Sequence, residues 1–299
     1  MTIVASPFPA ARRRAIAIPG GTIAALEFGP ADRPLDILFL HATGFSAGTY
    51  AGILAPLGKD LRILAVDQRG HGRTTLPAEP WAYDAWLIYR DDILALLEAI
   101  GETPTVMSGH SMGGTVCLLA AAERADAAKL LVLLDPVVMT PERLAADGID
   151  GLKNSPLSLG AAKRRSTFVD REAAFQAYNG RGAFRTWPEQ TLRDYLTDGL
   201  LEGEDGQVHL ACKPQWESAT FAAHHHNTLG AVMEARLPIR ILKAGIGSTC
   251  GLEGHEAEVM AGGHIRMETV AGTSHFLPME RPELVQAALV AAATLSSRP

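Results

Sequence analysis

The sequence predicts an α/β fold, a mostly parallel sheet covered by helices on both faces with a long helical segment inserted late in the chain. Three observations carry this. Short apolar runs alternate with stretches of helical periodicity. Several of those runs, such as Leu35-Asp36-Ile37-Leu38-Phe39-Leu40 and Leu61 to Val66, are apolar with almost no alternation, the mark of strands buried on both sides. Finally, Gly109-His110-Ser111-Met112-Gly113-Gly114 lies between the apolar run Thr105-Val106-Met107 and the helical run Thr115 to Ala122. A serine flanked by glycines therefore sits on a strand-to-helix turn.

In chain order, Ala15 to Pro19 and Thr22 to Phe28 read as strands joined at Gly20-Gly21. The buried strand Leu35 to Leu40 ends in the loop His41-Ala42-Thr43-Gly44-Phe45, and a helix is expected from about Thr49 to Leu57. Leu61 to Val66 is closed by Asp67-Gln68-Arg69-Gly70-His71-Gly72. Tyr83 to Ile100 has helical periodicity, with Trp86, Ile93, Leu96 and Leu97 on one face and Gly101 as its stop. After the serine turn and its helix, Lys129 to Leu134 is a sixth strand ending at Asp135-Pro136. From Val137 to Leu237 the chain reads as helical or irregular. The strand pattern returns at Pro238 to Lys243 and Ile265 to Val270, and Glu280 to Leu295 closes the chain as an amphipathic helix. Residues 1–136 and 238–299 are thus expected to form the core domain. Residues 137–237 are expected to form a cap inserted in it, too long to be a structureless loop.

Composition narrows the function. The chain has 299 residues, of which 47% are hydrophobic and 20% charged, enough for a substantial core. A net charge of −6 without a basic stripe argues against nucleic acid, and Arg12-Arg13-Arg14 reads as a solvated strand start. No stretch approaches the roughly 20 apolar residues that span a bilayer. Ala15 to Ile18 is too short an apolar run for a secretory leader. Three widely spaced cysteines, Cys117, Cys212 and Cys250, point to reduced thiols and a cytoplasmic protein.

The serine turn organises the chemistry. Glycines keep side chains from colliding across the bend, and the Met112 N–H falls at a helix start, where partial positive charge collects. A serine hydroxyl needs a base, and the base needs an orienting acid. His275, in Gly272-Thr273-Ser274-His275-Phe276, follows the last strand at the edge where a parallel sheet gathers its site. In many enzymes of this architecture the acid follows the seventh strand, but Ser248 stands there in Gly245-Ile246-Gly247-Ser248-Thr249. Asp135, one strand earlier, is the preferred carboxylate, with Pro136 expected to hold it extended. Glu253 and Glu256 are the alternatives. The Met112 and Thr43 N–H groups are the expected oxyanion donors, with the Thr43 hydroxyl a candidate third.

Together, His41-Ala42-Thr43-Gly44-Phe45, Asp67-Gln68-Arg69-Gly70-His71-Gly72, Gly109-His110-Ser111-Met112-Gly113-Gly114 and Gly272-Thr273-Ser274-His275 resemble the α/β-hydrolase superfamily, in the family's order and over nearly the whole chain. The resemblance implies an eight-stranded sheet with the second strand antiparallel, a helical cap after strand six, and a serine–acid–histidine triad. Ser111, Asp135 and His275 match its members. Ala42 replaces the usual glycine after the histidine.

The expected reaction is hydrolysis of a small carboxylic ester or lactone, without cofactor or metal and with no nucleic-acid or membrane partner; a homodimer is left open. Serine as nucleophile argues against dehalogenase and epoxide-hydrolase chemistry, which uses aspartate there. The alternatives are a carbon–carbon bond hydrolase of ring-fission products, against which Ala42-Thr43 lack that group's glycines, and a non-catalytic ligand receptor on the same fold. His41, His110, Trp187 and Trp216 are candidates for the substrate pocket, although His41 reads better as a brace for its loop. His224-His225-His226 cannot converge on one ion from consecutive helical positions.

Overall fold

The computed structural model describes residue 8 and residues 10–82, 85–224 and 226–295. Strands β1 (Ala11–Ile18) and β2 (Gly21–Phe28) form an antiparallel hairpin about Gly20, whose φ of 91° suits glycine. β3 (Ile37–Leu40), β4 (Ile63–Val66), β5 (Val106–His110) and β6 (Leu130–Leu134) follow. Three short strands, β7 (Thr167–Phe168), β8 (Leu200–Glu202) and β9 (Val208–Leu210), pair antiparallel in a small separate sheet. β10 (Ile239–Ala244) and β11 (Ile265–Val270) complete the main sheet. Its order is β1-β2-β4-β3-β5-β6-β10-β11, with β2 antiparallel to both neighbours and every pairing from β4 to β11 parallel.

The unbroken apolar strands have the expected cause. In β3 all four side chains are buried; Ile37 and Phe39 face one apolar core, Leu38 and Leu40 the other. One core takes helices Ala51–Leu54 and Pro282–Leu295, the other Leu87–Ile100 and Met112–Glu123. Each large side chain so removed from water contributes roughly 1.5–3 kcal/mol.

Several boundaries differ from the sequence reading. β1 begins at Ala11, so the arginine run lies in the strand; Arg13 and Arg14 are ion-paired to Asp198 and Glu27 at 2.6 and 2.8 Å. The helix expected over Thr49 to Leu57 is a chain of short turns, Ala47–Tyr50, Ala51–Leu54 and Ala55–Lys59, with Pro56 near the start of the last. The long helix begins at Leu87; Tyr83 lies outside the described residues. The closing helix is split, Leu277–Glu280 then Pro282–Leu295, because Pro282 cannot continue the first turn.

Between β6 and β10 the chain is mostly helical, with helices Pro141–Lys153, Pro156–Ala162, Arg171–Tyr178, Glu189–Gly199, Pro214–Ala222 and Thr228–Glu234. The β7-β9-β8 sheet within it was not expected: strands of two or three residues carry too little periodicity to read.

Candidate active site

Ser111 leaves β5 and caps helix Met112–Glu123 at φ 54°, ψ −122°. A Cβ on Gly109 would overlap the Gly113 carbonyl carbon, and one on Gly113 would overlap the Leu40 carbonyl of the adjacent strand. The two glycines are therefore required by close backbone approach. Among the described residues, Ser111 and Asp135 (φ 43°) are the two non-glycine residues with positive φ. Strain of this kind is held in place by surrounding structure and gathers at functional sites.

The two strained residues meet through His275. Its Nε2 lies 3.0 Å from Ser111 Oγ, and its Nδ1 lies 2.6 Å from Asp135 Oδ2. The carboxylate accepts, so Nδ1–H donates to Asp135 and the Nε2 lone pair faces the serine hydroxyl. An imidazole so placed can take the serine proton.

Asp135 is fully buried at the end of β6. Its position before Pro136 does not hold it extended. Instead its N–H donates to the Leu242 carbonyl at 2.7 Å, and φ turns positive to bring the carboxylate under the loop after β10. That carboxylate accepts from Ala244 N–H (2.8 Å), the Ser248 hydroxyl (2.5 Å) and Thr249 N–H (3.1 Å) as well as His275. Burial raises its pKa, but the His275 hydrogen bond and charge, with the Ser248 and Ala244 donors, outweigh burial and hold it below the usual carboxylate range. The loop that lacks an acid thus supplies the donors for one arriving from the strand beside it. The alternatives are placed elsewhere: Glu253 pairs with Lys243 at 2.7 Å and Glu256 accepts from Gly254 N–H at 2.8 Å.

Thr43 and Met112 are brought together, the Thr43 hydroxyl donating to Met112 Sδ at 3.3 Å. That contact occupies the hydroxyl considered as a third donor. The Thr43 and Met112 backbone N–H groups have no protein acceptor among the described residues.

Two loops at strand ends brace the Thr43 segment. Gln68 N–H donates to His41 Nε2 (2.8 Å), the Gln68 side-chain amide donates to the His41 carbonyl (2.7 Å), and Gly44 N–H donates to His71 Nε2 (3.0 Å). Ala42 N–H donates to the Tyr50 hydroxyl at 3.1 Å, Tyr50 lies 2.8 Å from His110 Nδ1, and His110 Nε2 lies 2.8 Å from the His275 carbonyl. Burial depresses all three histidines, His41 well below its ordinary value, His71 to about 4 and His110 to about 3, so each is neutral near pH 7.

The structure places the four pocket candidates differently, and His41 braces its loop as its sequence context suggests. His41 and His110 are wholly buried with both ring nitrogens engaged, and they hold loops in place. Trp216 donates to the Arg69 carbonyl at 3.2 Å and lines a cavity of about 280 Å3 with Gly70, His71 and Lys213. Trp187 does reach the site: its ring packs edge-on to Phe45 (5.2 Å) and Phe276 (5.7 Å), the neighbours of Gly44 and His275. Gln68, His71 and Tyr50 were missed because each acts through a partner distant in sequence; the one available sign was a histidine in each of the loops after β3 and β4. Glu217 is the partner of Arg164, at 2.7 Å. The His224 ring is tilted against Trp86 at 4.9 Å, His226 stacks on it at 5.0 Å, and His225 lies outside the described residues. Among the described residues no group of three His, Cys, Asp or Glu could hold a metal ion, and no helix is long and apolar enough to cross a membrane.

The sheet order, the β5 turn and the segment after β6 define an α/β-hydrolase architecture. Comparison with known proteins agrees: the alpha/beta hydrolase family model matches residues 37–288, and the chain belongs to that family. The lipase LipV of Mycobacterium tuberculosis is 35% identical over 140 residues, 47% of this chain and 51% of its own. A bifunctional esterase/perhydrolase of Acinetobacter calcoaceticus is 32% identical over 183 residues, 59% of this chain and 64% of its own. Between half and two-thirds of each of these relatives is thus spanned. The crystal structure of E-2-(acetamidomethylene)succinate hydrolase shares the fold, with a TM-score of 0.78 at 20% identity over 95% of this chain and 99% of that one.

Proposed function

We propose that the protein is a serine hydrolase that cleaves a carboxylic ester or lactone of a small hydrophobic molecule through an acyl-enzyme. The observation that carries this is His275 standing between Ser111 Oγ and the buried Asp135 carboxylate. His275 takes the Ser111 proton as Oγ attacks the carbonyl carbon. Asp135 stabilises the imidazolium and keeps Nε2 toward the serine. The Thr43 and Met112 N–H groups receive the oxyanion, each such donor typically worth about 3 kcal/mol of barrier. The imidazolium then protonates the leaving oxygen, and water, activated by the same imidazole, releases the acid.

Residues 137–237 act in this reading as a lid that shapes the pocket. In support, Trp187 and Tyr195 pack on Phe45 at 5.2 and 5.6 Å, and Thr186 donates to Glu280 at 2.9 Å. The Phe45, Trp187 and Phe276 rings suit a hydrophobic substrate group. The lipase and esterase relatives also favour ester cleavage.

The test is turnover of p-nitrophenyl acetate. Ser111→Ala lowers kcat by about 10³-fold or more in this account. A variant with near-parental kcat contradicts it.

A further inference from the structure

The wild-type site contains a chain of hydrogen bonds that none of the proposed catalytic steps uses. It begins at Ala42 N–H, beside Thr43 in the loop after β3, and ends at the carbonyl of His275 in the loop after β11. Both intermediates are buried side chains: Tyr50 from the turn Ala47–Tyr50, and His110 from the end of β5, one residue before the serine. The polarity of the chain follows from its ends. The His275 carbonyl can only accept, so His110 carries its proton on Nε2. Its Nδ1 must then accept, and Tyr50 must donate to it. The Tyr50 oxygen is left to accept from Ala42 N–H, which can only donate. No other arrangement of protons satisfies all three contacts with a neutral imidazole.

We infer that Tyr50 and His110 form a positioning bridge that fixes the oxyanion loop and the base loop relative to each other across the serine turn. The inference rests on the serine-hydrolase reading. Thr43 N–H and the His275 imidazole act on the same tetrahedral intermediate in that reading, and they come from loops more than 230 residues apart in sequence, so their spacing has to be set by contacts between those loops. The bridge makes those contacts at Ala42, the residue before Thr43, and at the carbonyl of His275 itself, through His110, the residue before Ser111. Burial keeps the bridge in its single proton arrangement through the working range of the base: His110 is depressed to about 3 and the Tyr50 phenol is pushed above its ordinary value. A protonated His110 would turn Nδ1 into a donor facing the tyrosine hydroxyl and break that link of the chain.

The experiment compares variants that keep or break this polarity, with p-nitrophenyl acetate as substrate. His110→Gln retains an N–H for the His275 carbonyl and an oxygen for Tyr50; its kcat stays within about threefold of the parent. His110→Phe has similar bulk and neither group; its kcat falls by about tenfold or more, with KM within about twofold. Tyr50→Phe removes one hydroxyl and likewise lowers kcat by about tenfold at nearly constant KM. Nitrogen-15 spectra of His110 supply a second readout: the parent shows the Nε2–H tautomer unchanged from pH 5 to 8, and Tyr50→Phe shifts that tautomer balance. Thermal melts and fluorophosphonate titration count the folded sites, so a loss of fold is separated from a loss of rate; should His110→Phe not fold, Tyr50→Phe and the tautomer spectra decide. Parental kcat in Tyr50→Phe, a change confined to KM, or a parent imidazole protonated on Nδ1 overturns the bridge. Ser111→Ala in the same assay separates the two ideas, because near-parental activity there removes the hydrolase reading itself, whereas its inactivity beside a normal Tyr50→Phe removes only the bridge.

Discussion

Two aspartates follow directly on parallel strands, Asp67 after β4 and Asp135 after β6, and both are buried. Their carboxyl groups behave in opposite ways. Asp135 is held below the ordinary carboxylate range despite burial, because His275, the Ser248 hydroxyl and the Ala244 N–H all stabilise its charge. Asp67 accepts two backbone N–H groups, from Ala47 and Arg73, and is nevertheless pushed up to about 7, by burial and then by the charge of Asp198. Burial is common to both. What differs is the company: a basic imidazole within 2.6 Å in one case and a second carboxylate in the other. Of these two acids, the one whose charge is held is the one on which four hydrogen-bond donors converge, Asp135; at Asp67 the Arg13 charge and two backbone N–H groups do not offset burial and Asp198.

The largest expected effect tests that contrast in catalysis. Asp135→Asn lowers kcat by about 10²- to 10⁴-fold, since an amide cannot fix the tautomer or stabilise the imidazolium. Asp67→Asn, measured per folded molecule, leaves kcat within about fivefold of the parent. Equal losses in the two variants, or a collapse in Glu253→Gln with Asp135→Asn active, break the comparison.

A smaller effect appears in stability against pH. Between the unfolded value near 3.9 and the folded value of about 7, native Asp67 keeps a proton that the unfolded chain has released, so its contribution makes stability fall as pH rises through that window. Asp135 has the opposite sign: its stabilisation is present above the unfolded value and is lost as pH drops through its lower folded value. Urea unfolding at pH 5 and pH 8 should show the Asp67 loss, on the order of 1–4 kcal/mol. Asp198→Asn removes the facing charge and should shrink it; an unchanged or larger difference contradicts the assignment. Arg13 and Arg73, which pair with Asp198 at 2.6 and 3.3 Å, are the cations in the same cluster.

The sequence reading named residues that the structure brings together where chemistry and local backbone coincide. Ser111 was legible because a strand, a glycine-bounded turn and a helix are contiguous, and His275 because it lies in the loop that follows the last strand. Asp135 was found through a gap, the serine at position 248 where an acid was expected, but the reason for that serine was not: its hydroxyl serves the displaced acid at 2.5 Å. The positive φ of Asp135 runs against the local preference set by Pro136, and only contacts from β10 and its loop, more than 100 residues away, decide it. His41, His110 and Trp216 were named as pocket candidates, with His41 read better as a brace, because residue type and position in the sequence do not reveal which way a side chain points. The small β7-β9-β8 sheet and the broken turns over Ala47–Lys59 are set by tertiary packing and leave too short a trace to read.

The most direct test of the central claim is to treat the protein with a fluorophosphonate near pH 7, digest it and map the adduct by mass spectrometry. The account predicts one stoichiometric label on Ser111 that forms far more slowly in Asp135→Asn and abolishes ester turnover. A label on another residue, or full turnover after complete modification of Ser111, would contradict it.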